Sequence, residues 1–229
     1  LEQNYRSTKR ILAIAAHPDD ETLGCGGTIA RYVNRGTPVD VVIVTKTGPY
    51  LDRYKELGDA GLDGMRRLEA DRACAVLGVR DLYFGDFEET HLAARPFPAL
   101  VEFLKATVAR TDPWAVYTHS GTDLHQDHAA VALATTIATR PYAAPSFRHL
   151  RRVLMYAVDP GAKVGTYFVD LSQENYLDVK LAALSEYKSE LRPAPHPRSL
   201  ESVRVTAAAT GVAAGTAFAE AFELLWSVA

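Results

Sequence analysis

Cysteine is scarce: Cys25 and Cys74 are the only two in 229 residues. Two are too few for a disulfide framework, and they do not form a C-x-x-C pair. They read as small buried hydrophobes in a reducing compartment, so the expected location is cytoplasmic. No apolar run approaches the ~18 residues of a membrane span, and Leu1 to Arg6 lack the apolar core of a signal peptide. Neither sign of charge dominates, with 25 basic against 28 acidic residues and a net charge of −3. Without a basic stripe, a dedicated nucleic-acid binder is excluded. Nucleotide signatures are missing too. There is no G-x-x-x-x-G-K-[ST], and Gly24-Cys25-Gly26-Gly27 does not fit G-x-G-x-x-G. Those glycines fall inside a predicted helix, where they allow close packing on a sheet. Ser120 and Ser185 lack a nucleophile-elbow context.

What remains is the composition of an ordinary folded enzyme, 48% hydrophobic and 23% charged, long enough for one domain spanning 1–229. Ile11 to Ala16 is a continuous apolar run, the pattern of a strand buried on both faces. A turn follows, then a helix to about Arg35 that Gly36 ends. Val39 to Val44 is a second buried strand. Thr47 to Gly64, rich in glycine and mixed charge, reads as a long mobile loop, with Tyr50, Arg53 and Tyr54 as candidate lid residues. Met65 to Leu77 predicts a helix, Asp81 to Phe84 a strand, Pro98 to Arg110 an amphipathic helix and Trp114 to Thr118 a fourth strand. A helix follows Asp127, strands are expected at Val153 to Val158 and Tyr167 to Leu171, and a helix over Glu174 to Leu191. The Ala-rich end predicts a helix from Leu200 and a strand near Glu220 to Leu225. Alternating strands and helices predict a single α/β, Rossmann-like domain with a mostly parallel sheet of order 3-2-1-4-5.

In that order strands one and four are neighbours, and their carboxyl ends flank the switch point where ligands bind. Two polar clusters follow those two strands: His17-Pro18-Asp19-Asp20-Glu21 and His125-Gln126-Asp127-His128. Imidazole and carboxylate together suit zinc, three protein ligands leaving a position for water. His17, one aspartate of the Asp19-Asp20 pair and His128 supply such a set; spacing does not decide between the aspartates. The other aspartate would take a proton from the water and return it to a leaving amine. A protonated His125 would stabilise an oxyanion, with Asp127 holding its tautomer and charge. The same ligands would also serve a phosphoesterase, or survive in an inactive sugar-binding protein.

Ala16-His17-Pro18-Asp19-Asp20-Glu21 with the downstream His125-Gln126-Asp127-His128 resembles the PIG-L/LmbE-like deacetylases. The resemblance extends over most of the chain, including the run Leu23-Gly24-Cys25-Gly26-Gly27. It implies one zinc, or another divalent transition metal, on His17, Asp20 and His128, with Asp19 as general base and His125 with Asp127 as electrostatic catalyst. The implied reaction is hydrolytic removal of an acyl group from a small-molecule or glycoconjugate N-acetylglucosamine-type amino sugar. Arg66-Arg67-Leu68-Glu69 matches an Arg-x-x-Glu pattern of the family, placing Arg66 on substrate hydroxyls or phosphate, or else on Glu69 in a surface ion pair. The family's sugar-contacting acid would fall on Asp86 or Glu89. His119 would line the pocket, His91 would face solvent, and His149 and His196 would be structural or surface residues.

Overall fold

The structure, a computed structural model, describes residues 9–48, 56–94, 97–142, 147–159 and 165–228. Among these residues seven strands form one sheet of order β3-β2-β1-β4-β5-β7-β6. These are β1 (Ile11–Ala15), β2 (Val39–Lys46), β3 (Asp81–Glu88), β4 (Ala115–His119), β5 (Arg152–Tyr156), β6 (Tyr167–Asp170) and β7 (Ala219–Ser227). The first five run parallel in the expected 3-2-1-4-5 order. The sheet then continues beyond that order: β7 pairs antiparallel to β5, and β6 antiparallel to β7.

Among the described residues six helices cover the two faces: α1 (Asp20–Asn34), α2 (Gly58–Leu77), α3 (Phe97–Thr111), α4 (Gln126–Ala138), α5 (Tyr176–Leu184) and α6 (Leu200–Ala214). One core holds Cys25, Ile29, Ala70, Leu177 and Val203 against the odd-numbered side chains of β1 and β2. The other holds Leu100, Leu104, Val131 and Ala134 against Leu12, Ile14, Val42 and Val44. Both faces of β1 are therefore covered, which is why its sequence is apolar without alternation. Among the described residues no helix is long and apolar enough to cross a membrane.

Two expectations are corrected. The stretch from Thr47 to Gly64 is not loop throughout, because α2 begins at Gly58. Its interior glycines weaken it by about 1 kcal/mol each relative to alanine. Burial of Leu62, together with Asp63 accepting from Thr47 N and Arg67 Nε, offsets that weakness. Tyr50, Arg53 and Tyr54 lie outside the described residues. The helix expected over Glu174 to Leu191 spans only Tyr176–Leu184. Glu174 and Asn175 precede it at positive φ (55° and 59°). Beyond it, Tyr187 and Ser189 turn inward to bond Glu21 and Glu69, a tertiary demand that overrides helical propensity.

The helix α1 is broken in its second turn. Cys25 has φ −145° and ψ 19°, outside the helical region. Lys180 Nζ donates to Leu23 O (2.8 Å) before the break, and Glu220 accepts from Gly27 N (3.0 Å) and Thr28 N (2.7 Å) after it. One buried ion pair, Lys180 Nζ to Glu220 Oε1 at 2.7 Å, thus caps both half-helices from inside. The flanking glycines allow close approach: a Cβ on Gly24 would meet the Tyr156 ring, and one on Gly27 would meet Leu171.

Candidate active site

The crevice forms where β1 and β4 end. Beyond β1, Ala16 is fixed from both sides: its N–H donates to His119 Nε2 (2.9 Å) and its carbonyl accepts from Thr45 Oγ1 (2.7 Å). The chain then turns sharply through Asp19, at φ 107°. Aspartate tolerates that left-handed region better than most residues, and such strain concentrates at functional sites. Asp20 opens α1 and accepts from His17 N (2.8 Å). Beyond β4 a short loop leads to His125, the N-cap of α4, whose ring accepts from Asp127 N.

These two segments bring three side chains together. His17 Nδ1 lies 3.2 Å from Asp20 Oδ2, Asp20 Oδ2 lies 3.2 Å from His128 Nε2, and His128 Nε2 lies 3.2 Å from His17 Nδ1. The triangle is nearly equilateral. Its edge compares with about 3.3 Å between ligand atoms of a tetrahedral ion with bonds of about 2.0 Å. Asp20 Oδ1 and the Oδ1 of neighbouring Asp19 are buried without hydrogen-bond partners among the described residues. Donor type, spacing and orphaned oxygens fit a divalent metal.

Three further groupings converge within 4.8 Å: His17, His125 and His128; Asp20, His119 and His128; Asp123, His128 and Asp159. The second is weakened because Ala16 N–H already occupies the Nε2 lone pair of His119. The third is weakened because both oxygens of Asp123 accept backbone N–H groups. His119 does not line an open surface; it is fully buried and stacks on His128 with ring centroids 4.0 Å apart.

The expected partnership of His125 and Asp127 takes another form. The Asp127 carboxylate lies 3.0 Å from His17 Nε2 and accepts from Thr90 N (2.6 Å) and Leu92 N (3.3 Å). It is the backbone N–H of Asp127 that meets His125 Nδ1, at 3.2 Å. A helix N-terminus must satisfy its own N–H groups, and the ring does so here. That bond leaves the ring proton on Nε2. Burial, with His17 and His128 nearby, pushes His125 below the ordinary histidine range, so it is neutral rather than the imidazolium expected.

Electrostatics divide the neighbouring groups. Burial opposes charge on His17, but Asp127 and Asp20 prevail and push it up to about 9. His128 goes up to about 10 in the same way, against burial, through Asp20 and Asp123. Asp20 is held well below the carboxylate range because His128 and His119 outweigh its burial. Asp19 goes the other way: burial raises it to about 7, although Arg198 pulls downward. Two adjacent aspartates thus take opposite characters, one firmly ionised and one poised near neutrality.

Arg66 is buried, 3% exposed, with NH2 on Pro18 O (2.9 Å) and its guanidinium 3.7 Å from Glu89 and 3.6 Å from Glu190. It braces the turn before Asp19 and does not pair with Glu69, which accepts from Ser189 N and Oγ. Glu89 lies close enough to favour charge on His17, whereas Asp86 is exposed beside Lys46. His91, His149 and His196 are exposed. Two site residues escaped sequence reasoning. Arg198 Nε donates to Asp19 Oδ2 (2.8 Å) from 179 positions away, with no local signal. Asp123, 3.0 Å from His128 Nδ1, did carry one, as an acid two residues before His125.

Fold and cluster together define a Rossmann-like α/β protein with a buried His/Asp centre at the sheet's switch point. Residues 12–139 match the family model described as PIG-L: GlcNAc-PI de-N-acetylase. The chain is 32% identical over 197 residues to the Escherichia coli protein named uncharacterized deacetylase YaiS, covering 82% of this chain and 96% of that one. It is 30% identical over 213 residues to the diacetylchitobiose deacetylase of Thermococcus kodakarensis, covering 83% and 73%. The solved N,N'-diacetylchitobiose deacetylase from Pyrococcus horikoshii shares the fold, with a TM-score of 0.82, 22% identity, and 97% and 86% of the two chains covered. The chain belongs to the PIG-L family of de-N-acetylases, hydrolases of an amide C–N bond.

Proposed function

We propose that the chain is a zinc-type metal hydrolase that removes the acetyl group from the nitrogen of an N-acetylglucosamine-type sugar or glycoconjugate. The observation that carries this is the 3.2 Å triangle of His17, Asp20 and His128, with Asp19 beside it. The diacetylchitobiose deacetylase of T. kodakarensis supports the substrate class. His17, Asp20 and His128 would hold the ion, which when bound polarises the amide carbonyl and lowers the pKa of a water towards ~7.

Asp19 accepts the proton of the attacking water as the new C–O bond forms, and delivers it to the amine nitrogen as the C–N bond breaks. Acetate and free amine leave. His125, neutral with its proton on Nε2, donates to the amide oxygen as that oxygen becomes an oxyanion. Asp127 orients His17 through Nε2. Arg66 acts on the substrate through the turn it braces.

The test is release of free amine from N-acetylglucosamine, diacetylchitobiose and their glycosides, with and without a chelator. Turnover on at least one, abolished by chelation and restored by roughly one equivalent of metal, is expected. Hydrolysis of aryl phosphates with no amine from any sugar would replace the proposal with a phosphoesterase.

The raised pKa values add a second expectation. Metal ligation needs neutral imidazole. In the metal-free protein His17 (about 9) and His128 (about 10) hold protons at neutral pH. Metal uptake at pH 7.5 in weak buffer should therefore release roughly two protons, and affinity should climb with pH until those groups are neutral. Stopped-flow mixing with an indicator dye reads the release; uptake without it would show that both rings are already neutral in the metal-free protein.

A further inference from the structure

Each histidine of the triangle turns one nitrogen inward and the other onto an aspartate. For His17 the aspartate is Asp127. For His128 it is Asp123, whose Oδ1 lies 3.0 Å from Nδ1 in an ion-pair contact that does not meet hydrogen-bond geometry, and Nδ1 has no other partner among the described residues. Asp123 is buried in the loop between β4 and α4. Its Oδ1 also accepts from His125 N (3.2 Å), and its Oδ2 accepts from Val158 N (3.1 Å) and Asp159 N (3.4 Å) beyond β5. One carboxylate therefore touches both histidines of the second motif and ties them to the neighbouring strand's exit.

A carboxylate accepts and cannot donate, so the imidazole nitrogen facing it carries the ring proton. We infer that Asp123 is the positioning residue of His128: it holds a proton on Nδ1, so that Nε2 is the nitrogen that gives up its proton and offers its lone pair to a metal beside His17 and Asp20. The inference rests on the metal-hydrolase proposal and adds a residue that the proposal does not need.

Asp123→Asn separates this role from simple support. The amide has one acceptor and one donor end, and two backbone N–H groups at Val158 and Asp159 compete with one at His125. With the oxygen on the pair, the NH2 faces His128 Nδ1, which must then accept, and the ring proton moves to Nε2. Asp123→Asn, Asp123→Ala and His128→Ala are purified, stripped of metal and titrated with zinc against a chromogenic chelator, with thermal melts of each metal-free protein.

Asp123→Ala should bind roughly 10–100-fold more weakly than the parent. Asp123→Asn should bind no better than Asp123→Ala, although it is isosteric and should melt closer to the parent. Asp123→Asn affinity equal to the parent's, or clearly restored relative to Asp123→Ala, overturns the positioning role and leaves the metal site standing. His128→Ala should lose stoichiometric binding; retention there removes the metal site itself, and this inference with it.

Discussion

Asp19→Asn should lower kcat by about 10²–10⁴-fold, the range for loss of a positioned general base, while zinc content stays at the parental level. Asparagine keeps the volume of the side chain and tolerates the φ of 107° that Asp19 adopts. Its carbonyl oxygen can still accept from Arg198 Nε, the 2.8 Å contact that fixes Oδ2. What it cannot do is take a proton at the position of Oδ1, a buried atom without a partner among the described residues. Only a group outside the triangle separates metal retention from turnover, since removing His17, Asp20 or His128 would affect both. The parental rate should fall as pH drops through about 7, because burial raises Asp19 to that value and only its ionised form accepts a proton. Metal analysis and steady-state kinetics on one preparation decide the matter. Parental turnover in Asp19→Asn would strip the residue of its role; loss of metal alongside turnover would make it a structural part of the site.

The site was legible because its parts sit where chain geometry forces convergence. Ile11 to Ala16 and Trp114 to Thr118 are apolar enough to be recognised as central strands, and parallel neighbours at a switch point bring their exits together. His17 and His128, 111 positions apart, could therefore be placed in one crevice from pattern alone. The choice between Asp19 and Asp20 came only with the family resemblance. In the structure both are fully buried and they differ by partner, the cationic Arg198 on one and three histidines on the other. That difference depends on a side chain arriving from after α5, which no local pattern announces. The early end of α5 was hidden for the same reason, because Tyr187 and Ser189 answer to Glu21 and Glu69 rather than to helical periodicity. The exchange of roles at Asp127 had another origin. Spacing showed that His125 and Asp127 would be close, but not that the backbone N–H would claim the ring while the carboxylate reached His17. Family membership does not supply such detail, because function resides in the arrangement a particular chain builds on a shared fold.

Glu220→Ala should destabilise the protein by roughly 3–5 kcal/mol, the range for removing one partner of a buried ion pair. In a domain of this size that corresponds to a fall in Tm of about 10 °C. The loss has two parts. Lys180, buried and facing Glu220 at 2.7 Å, keeps only Leu23 O as an acceptor among the described residues. Gly27 N, Thr28 N and Thr28 Oγ1 lose their shared acceptor at the start of the second half of α1. Lys180→Met should cost less, since Glu220 retains those three donors, and the double variant should cost less than the two singles added, because each single leaves its partner unmatched. The break itself has steric causes that substitution at Glu220 does not remove: Gly24 lies on Tyr156 and Gly27 on Leu171. Asp20 stands at the head of this helix, so loosening the junction at Cys25 frees the turn that carries His17 and Asp19. Zinc affinity should accordingly weaken in Glu220→Ala at temperatures where the protein is still folded. Denaturant unfolding of the three variants, metal-free and zinc-loaded, checks both statements. A Glu220→Ala protein within 1 kcal/mol of the parent (roughly one ordinary hydrogen bond) would show that the glycines alone hold the broken helix in place.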